Sequence, residues 1–137
     1  MAIITVSYQQ HNFQQQLVSY DLEIDTFDEV CLLIDEYPWE RELALAHVRG
    51  EKGHFHFVRR DGDQLPYASI QFVPVSKGRG RLDVDVVVRP GFLDFFGRKA
   101  LSRHFNVVDM VDAKAAVKEL FEAPVTDLYQ KYLCDSH

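Results

Sequence analysis

Two residue pairs in this chain have types and spacings suited to chemistry. His54-Phe55-His56 sets two imidazoles one residue apart. Alternate side chains of a β-strand share a face, so such a pair can ligate a metal ion. Asp83 and Asp85 flank Val84 in a stretch whose other alternate set is Leu82, Val84, Val86 and Val88. Two carboxylates on one strand face can hold Mg²⁺ for phosphoryl chemistry. Each pair also has a plainer reading. Val58, Arg59 and Arg60 follow the histidines, and two guanidinium groups repel a cation. The aspartates are bracketed by Arg81 and Arg89 and are expected to pair with neighbouring cations on a wet sheet face. The run Lys77-Gly78-Arg79-Gly80-Arg81, with Arg98, Lys99 and Arg103 further on, can grip an anion, although a glycine-rich turn carrying solvated cations explains it equally well. The sequence carries no P-loop, nucleophile-elbow, zinc-peptidase or nucleobase-deaminase spacing. No catalytic residue, metal or cofactor is therefore expected, and a non-enzymatic role is favoured.

Those groups need a scaffold. The chain has 137 residues, of which 47% are hydrophobic and 26% charged, which suits one globular domain spanning residues 1–137. Ile3 to Tyr8 is rich in β-formers, and Val18, Tyr20, Leu22 and Ile24 alternate with polar residues, so both read as strands joined by the polar stretch Gln9 to Gln16. Thr26-Phe27-Asp28-Glu29 has capping-box spacing and starts a helix with Phe27, Val30, Cys31, Ile34 and Tyr37 on its apolar face, stopping near Glu36 ahead of Pro38. Period-two segments near Leu43 to Val48, His54 to Arg60, Tyr67 to Val75 and Arg81 to Arg89 predict a meander, with turns at Asp61-Gly62-Asp63 and Lys77 to Gly80. The apolar segment Phe92 to Val108 holds a further strand around Phe105 to Val108. Val111, Ala115, Val117, Leu120 and Phe121 outline a second helix, started by Asp109 or Asp112 and ended before Pro124, with a last helical turn after it. The expected fold is α+β, a largely antiparallel meander sheet with two main helices packed on it. Phe27, Val30, Ile34, Leu120 and Phe121 are its expected helical core residues.

Charge says more about function than any motif does. Fifteen Lys and Arg against 21 Asp and Glu give a formal net charge of -6, the wrong sign for general nucleic-acid binding. Met1 to Tyr20 contains no Lys or Arg for a secretory n-region, and no uncharged run approaches a membrane span, so a cytoplasmic protein with Cys31 and Cys134 as free thiols is expected. The charges are segregated: Met1 to Leu45 holds nine acidic residues and one Arg, whereas Ala46 to Asn106 holds eleven basic and six acidic. On the first helix Asp28, Glu29, Asp35 and Glu36 flank Leu32 at 100° per residue, an apolar knob among carboxylates. Asp21, Glu23 and Asp25 lead into it from the preceding strand. These eight residues form the candidate partner-binding surface, the alternative being a solvated helix face with one exposed leucine.

The run from Val108 to Pro124, VDMVDAKAAVKELFEAP, resembles the closing helix of small immunity proteins in bacterial polymorphic toxin systems of the contact-dependent growth inhibition type. Arg60-Asp61-Gly62-Asp63 resembles a turn of their meander. The resemblance implies a cytoplasmic protein that binds and neutralises a cognate toxin domain, a basic nuclease, by occluding its active surface; it transfers no site residues. An acidic face that mimics phosphates suits a cationic nuclease cleft. The His54/His56 spacing is similar to that of cupins, where a glutamate follows within a few residues, but Val58, Arg59 and Arg60 stand there instead. A small metal-binding or phosphate-handling enzyme is the alternative function, and an adaptor for another basic protein a third.

Overall fold

The computed structural model describes residues 3–63, 65–89 and 99–134. Strands β1 (Ile4–His11) and β2 (Leu17–Ile24) pair antiparallel, from Ile4 opposite Ile24 to His11 opposite Leu17. The connection is tight because Asn12 replaces missing ladder partners: its Oδ1 accepts from the N–H groups of Gln14 and Gln16 at 2.9 and 3.0 Å. Helix α1 (Phe27–Glu36) starts where the capping box predicts, with the Thr26 hydroxyl accepting from the Glu29 N–H at 3.3 Å. After α2 (Trp39–Arg49) come β3 (Phe55–Arg60), β4 (Tyr67–Ser76), β5 (Arg79–Arg89) and β6 (Lys99–Asp109), then α3 (Met110–Glu122) and α4 (Val125–Cys134). The sheet order is β2-β1-β3-β4-β5-β6 and every neighbouring pair is antiparallel. The fold is α+β, with helices packed on the sheet. Among the described residues no helix is long and apolar enough to cross a membrane.

Three local expectations change. Leu43 to Val48, expected as a strand, belongs to α2. Leu43 and Leu45 alternate with alanines that suit either period, while Glu, Arg, Leu and Ala are all strong helix formers. Gly50, at φ 75°, closes the helix in a left-handed conformation and its N–H donates to the Ala46 carbonyl at 2.8 Å. The expected last helical turn is a full helix, α4. Strand β6 begins at Lys99, well before Phe105, and the portion of Phe92 to Val108 preceding Lys99 lies outside the described residues.

Register builds the core. Leu22, Val6, Phe57, Ile70 and Val84 stand opposite one another across five strands, and Tyr8, Phe55, Phe72 and Leu82 form the next row on the same face. Helices α1, α3 and α4 cover that face with Val30, Ile34, Val117, Leu120, Val125 and Leu128, and α2 adds the partly buried Trp39. Tyr37, Trp39 and Phe55 close one end as edge-packed rings, with Tyr37 to Phe55 at 4.8 Å and Tyr37 to Trp39 at 5.3 Å. Val30, Ile34 and Leu120 are core residues as expected. Phe27 and Phe121 are not fully buried; they meet edge to face at 6.4 Å on the rim, because each lies at the outer end of its helix's apolar stripe.

One polar device locks helices to the sheet. Arg59 points to the helix side, and its Nη1 donates to the carbonyl oxygens of Leu120 and Ala123 at 2.7 and 2.6 Å, at the end of α3. Its Nε donates to Asp61 Oδ1 at 2.7 Å, while Asp61 Oδ2 accepts the N–H of Val125, the first residue of α4, at 2.7 Å. A cation thus meets a helix C-terminus and a carboxylate a helix N-terminus, each satisfying backbone groups that no helix can satisfy itself.

Candidate partner-binding site

Strand alternation and helix rotation decide where the carboxylates go. Leu22 stands opposite Val6 and therefore faces the helices, whereas Asp21 and Glu23, opposite Ser7 and Thr5, belong to the other face. On α1 a 100° step puts Glu29 and Glu36 on one flank of Leu32, and Asp28 and Asp35 on the other. The first flank faces β2. A groove of about 290 Å³ opens there, lined by Leu22, Glu23, Ile24, Glu29, Leu32, Leu33 and Glu36. Its apolar floor reaches solvent, with Leu32 57% and Leu22 41% exposed. The second flank faces α3, where Lys114 Nζ binds Asp35 Oδ1 at 2.7 Å. Burial raises the Cys31 thiol pKa on that side; Lys114 opposes the rise while Asp35 and Asp28 add to it.

The eight expected residues are therefore not one continuous patch. Glu29, Leu32 and Glu36 converge on the groove, and Glu23 borders it from the edge of β2 while its side chain belongs to the other face. Asp21 accepts the Ser7 hydroxyl at 2.6 Å on the opposite sheet face, and Asp35 is held by Lys114. Asp25 and Asp28 are exposed outside the groove lining. Among the described residues Glu23, Asp25, Asp28, Glu29 and Glu36 make no ion pair within the chain. Leu22, Ile24 and Leu33 complete the groove and were not singled out from sequence as site residues. The alternation that grouped Leu22 with Ile24 marked it as core, yet among the described residues no strand lies beyond β2 to cover it.

The pairs with chemical spacing have structural partners. His56 stands opposite Ser7 and Gln71, and Gln71 is followed across the sheet by Asp83 and His104. Asp83 Oδ1 lies 2.7 Å from His104 Nδ1, and Asp85 accepts the Ser102 hydroxyl. The expectation that these aspartates pair with flanking cations is corrected: β6 sets His104 and Ser102 directly opposite them. His54 precedes β3, and its backbone N–H donates to Gln9 Oε1 at 2.9 Å. Burial lowers the His56 pKa; His54 and Arg60 add to the fall and Asp85 opposes it. Among the described residues no group of three or more His, Cys, Asp or Glu side chains is arranged to hold a metal ion. In the glycine-rich run Lys77 binds Glu40 and Arg79 binds Asp109, both at 3.1 Å, around a turn with Gly78 at φ 74°. Arg98 lies outside the described residues.

Two further features were not visible in the sequence. His11, buried at the end of β1, presents its backbone N–H and Nδ1 to Glu42 Oε1 at 2.9 and 2.7 Å, and Arg41 donates to the His11 carbonyl at 2.7 Å. A misassigned α2 hid this pair. A larger cleft of about 400 Å³ between α3, α4 and the β5–β6 edge is lined by Leu82, Arg103, Phe105 and Tyr132 among others. Its cations are engaged within the chain, Lys131 by Glu119 and Arg103 by the carbonyl oxygens of Ser102 and Tyr132. The β2–α1 groove differs in that, among the described residues, its carboxylates make no ion pair within the chain. Comparison of the chain with models of protein families, with characterised proteins and with solved structures finds no match.

Proposed function

We propose that this chain is an immunity protein that binds and neutralises a cognate toxin domain, a basic nuclease, by covering its active surface with the β2–α1 groove. The observation that carries the reading is the apolar floor of Leu22 and Leu32, rimmed by Glu29 and Glu36 with Glu23 at the strand edge; among the described residues none of these three carboxylates makes an ion pair within the chain. A basic partner supplies the missing counter-charges, and its apolar side chain fills the groove. The resemblance of Val108 to Pro124 to the closing helix of immunity proteins supports the same role. Long-range attraction from the carboxylates raises the association rate, while the leucines slow dissociation.

The test begins with the neighbouring gene: where it encodes a large protein with a toxic C-terminal domain, the chain is co-expressed with that domain and binding kinetics are measured at two salt concentrations, and a neighbour without such a domain counts against the reading. The chain should restore growth, and Glu29→Lys with Glu36→Lys should slow association about tenfold at low salt. Leu32→Ala should speed dissociation with little change in association. Failure to bind that domain or to restore growth would overturn the proposal.

A further inference from the structure

We infer that β2 takes up an extended segment of the basic partner as a seventh strand of the sheet. The inference rests on the reading of the acidic groove above and specifies how the partner is held. Among the described residues β2 is an edge strand, and Ser19 to Glu23 are exposed in succession. The backbone N–H and C=O groups that alternate away from β1 therefore have no strand to bond.

Exposed edges are usually blunted by lysine, proline, a bulge or a short length. Strand β2 has none of these. It runs eight residues, contains no Lys or Pro, and pairs with β1 without a register break. The opposite edge is handled differently: pairing of β5 with β6 shifts register between Arg81 and Leu82 and again between Val87 and Arg89. What guards β2 is negative charge alone. A second copy of β2 laid antiparallel against it would bring carboxylate against carboxylate, which disfavours self-pairing. A basic strand meets no such barrier, so the edge is selective rather than closed.

The faces of β2 also prescribe the partner's pattern. Tyr20 and Leu22 stand on the helix side, where Leu22 lines the groove and Tyr20 stacks on Tyr8, and Asp21 and Glu23 belong to the other face. Side chains of an added strand stand about 5 Å from their cross-strand neighbours. The segment must therefore alternate, with apolar residues beside Tyr20 and Leu22 and Lys or Arg beside Asp21 and Glu23. This is β-strand addition, in which the main chain supplies affinity and alternate side chains the specificity.

The probe is a synthetic peptide of about ten residues alternating Lys with Val and Thr, together with two forms of it N-methylated at every second backbone nitrogen, one in each of the two alternating registers. N-methylation leaves charge and side chains in place and removes the hydrogens that one edge needs. The parent peptide should bind and slow amide exchange at alternate residues of Leu17 to Ile24, and the methylated peptide whose blocked edge faces β2 should bind about tenfold or more weakly. Equal binding by both methylated registers and the parent, protection elsewhere, or no binding by the parent peptide would each overturn strand addition. So would concentration-dependent self-association lost on Glu23→Lys, since β2 would then serve a second copy of the chain. These outcomes leave the co-expression result untouched. Failure to bind the toxin domain overturns the broader reading whatever the peptides do.

Discussion

Asp61→Ala should be among the most destabilising substitutions outside the apolar core. The side chain bridges two helices: Oδ1 receives Arg59 Nε and Oδ2 receives the Val125 N–H, each at 2.7 Å. The Arg59 and Asp61 side chains are only 14% and 25% exposed, which removes them from the class of solvent-screened pairs worth almost nothing. Loss of a helix cap costs about 1 kcal/mol, and loss of a hydrogen bond to a charged group about 1.5 to 3 kcal/mol. Allowing water to reach the vacated site, Asp61→Ala should cost about 2 to 3 kcal/mol. Arg59→Ala should cost at least as much, because it also releases the carbonyl groups of Leu120 and Ala123 and strips the packed stem. The two losses share one bond, so the double variant should be more stable than the sum of the single costs implies, by about 1 kcal/mol. Urea unfolding measures this directly, and with a slope of about 1 to 3 kcal/mol per molar the single variants should lose roughly 1 M or more in midpoint. Arg59→Lys should recover only part of the loss, since an ammonium cannot present the guanidinium fork to two carbonyls and a carboxylate together. A cost below about 0.5 kcal/mol for Asp61→Ala, or strict additivity in the cycle, would refute the clamp.

Burial holds the folded-state pKa of His56 below that of the unfolded chain, so in acid the unfolded state accepts a proton that the folded state resists. Stability is intact above roughly pH 6.5 and falls below it, and the drop in urea midpoint between about pH 7.5 and about pH 5 should shrink in His56→Gln. The Cys31 thiol is half-buried with a raised pKa whereas Cys134 is exposed, so a disulfide reagent at neutral pH should label Cys134 rapidly and Cys31 slowly, as peptide mass mapping would record. Comparable labelling rates would contradict that assignment. Glu42→Leu removes the acceptor for two nitrogens of His11, itself only 2% exposed, and should cost about 2 to 4 kcal/mol, with Glu42→Gln costing less; chemical denaturation of both decides it.

Much of the sheet was legible because its strands obey one period over long stretches. Leu82, Val84 and Val86 alternate so regularly with charged residues that strand, inward face and outward face follow together. The capping box of α1 was equally readable, since Thr26 and Glu29 are neighbours in the chain. Helix α2 was not, because Leu43 and Leu45 in an alanine background satisfy both periods and only tertiary packing of Trp39 on Phe55 and Phe72 decides between them. The candidate site was half visible. Rotation about α1 is local and put the carboxylates beside Leu32, but which flank meets β2 and which meets Lys114 depends on how two distant elements dock. The His11–Glu42 pair and the Arg59–Asp61 clamp were hidden for the same reason, joining residues 31 and 64 positions apart.

The placement of the groove at the sheet's margin separates what the chain must conserve from what it can change. Leu32 and Glu36 are exposed, and substitutions at exposed positions away from caps and networks usually shift stability by no more than about 0.5 kcal/mol. The buried rows through Val6, Phe57, Ile70 and Val84 lie on other strands and do not depend on them. A lineage carrying this fold can therefore rewrite the chemistry of β2 and α1, following a partner that changes its own surface, while drawing almost nothing from the small reserve of stability on which folding depends.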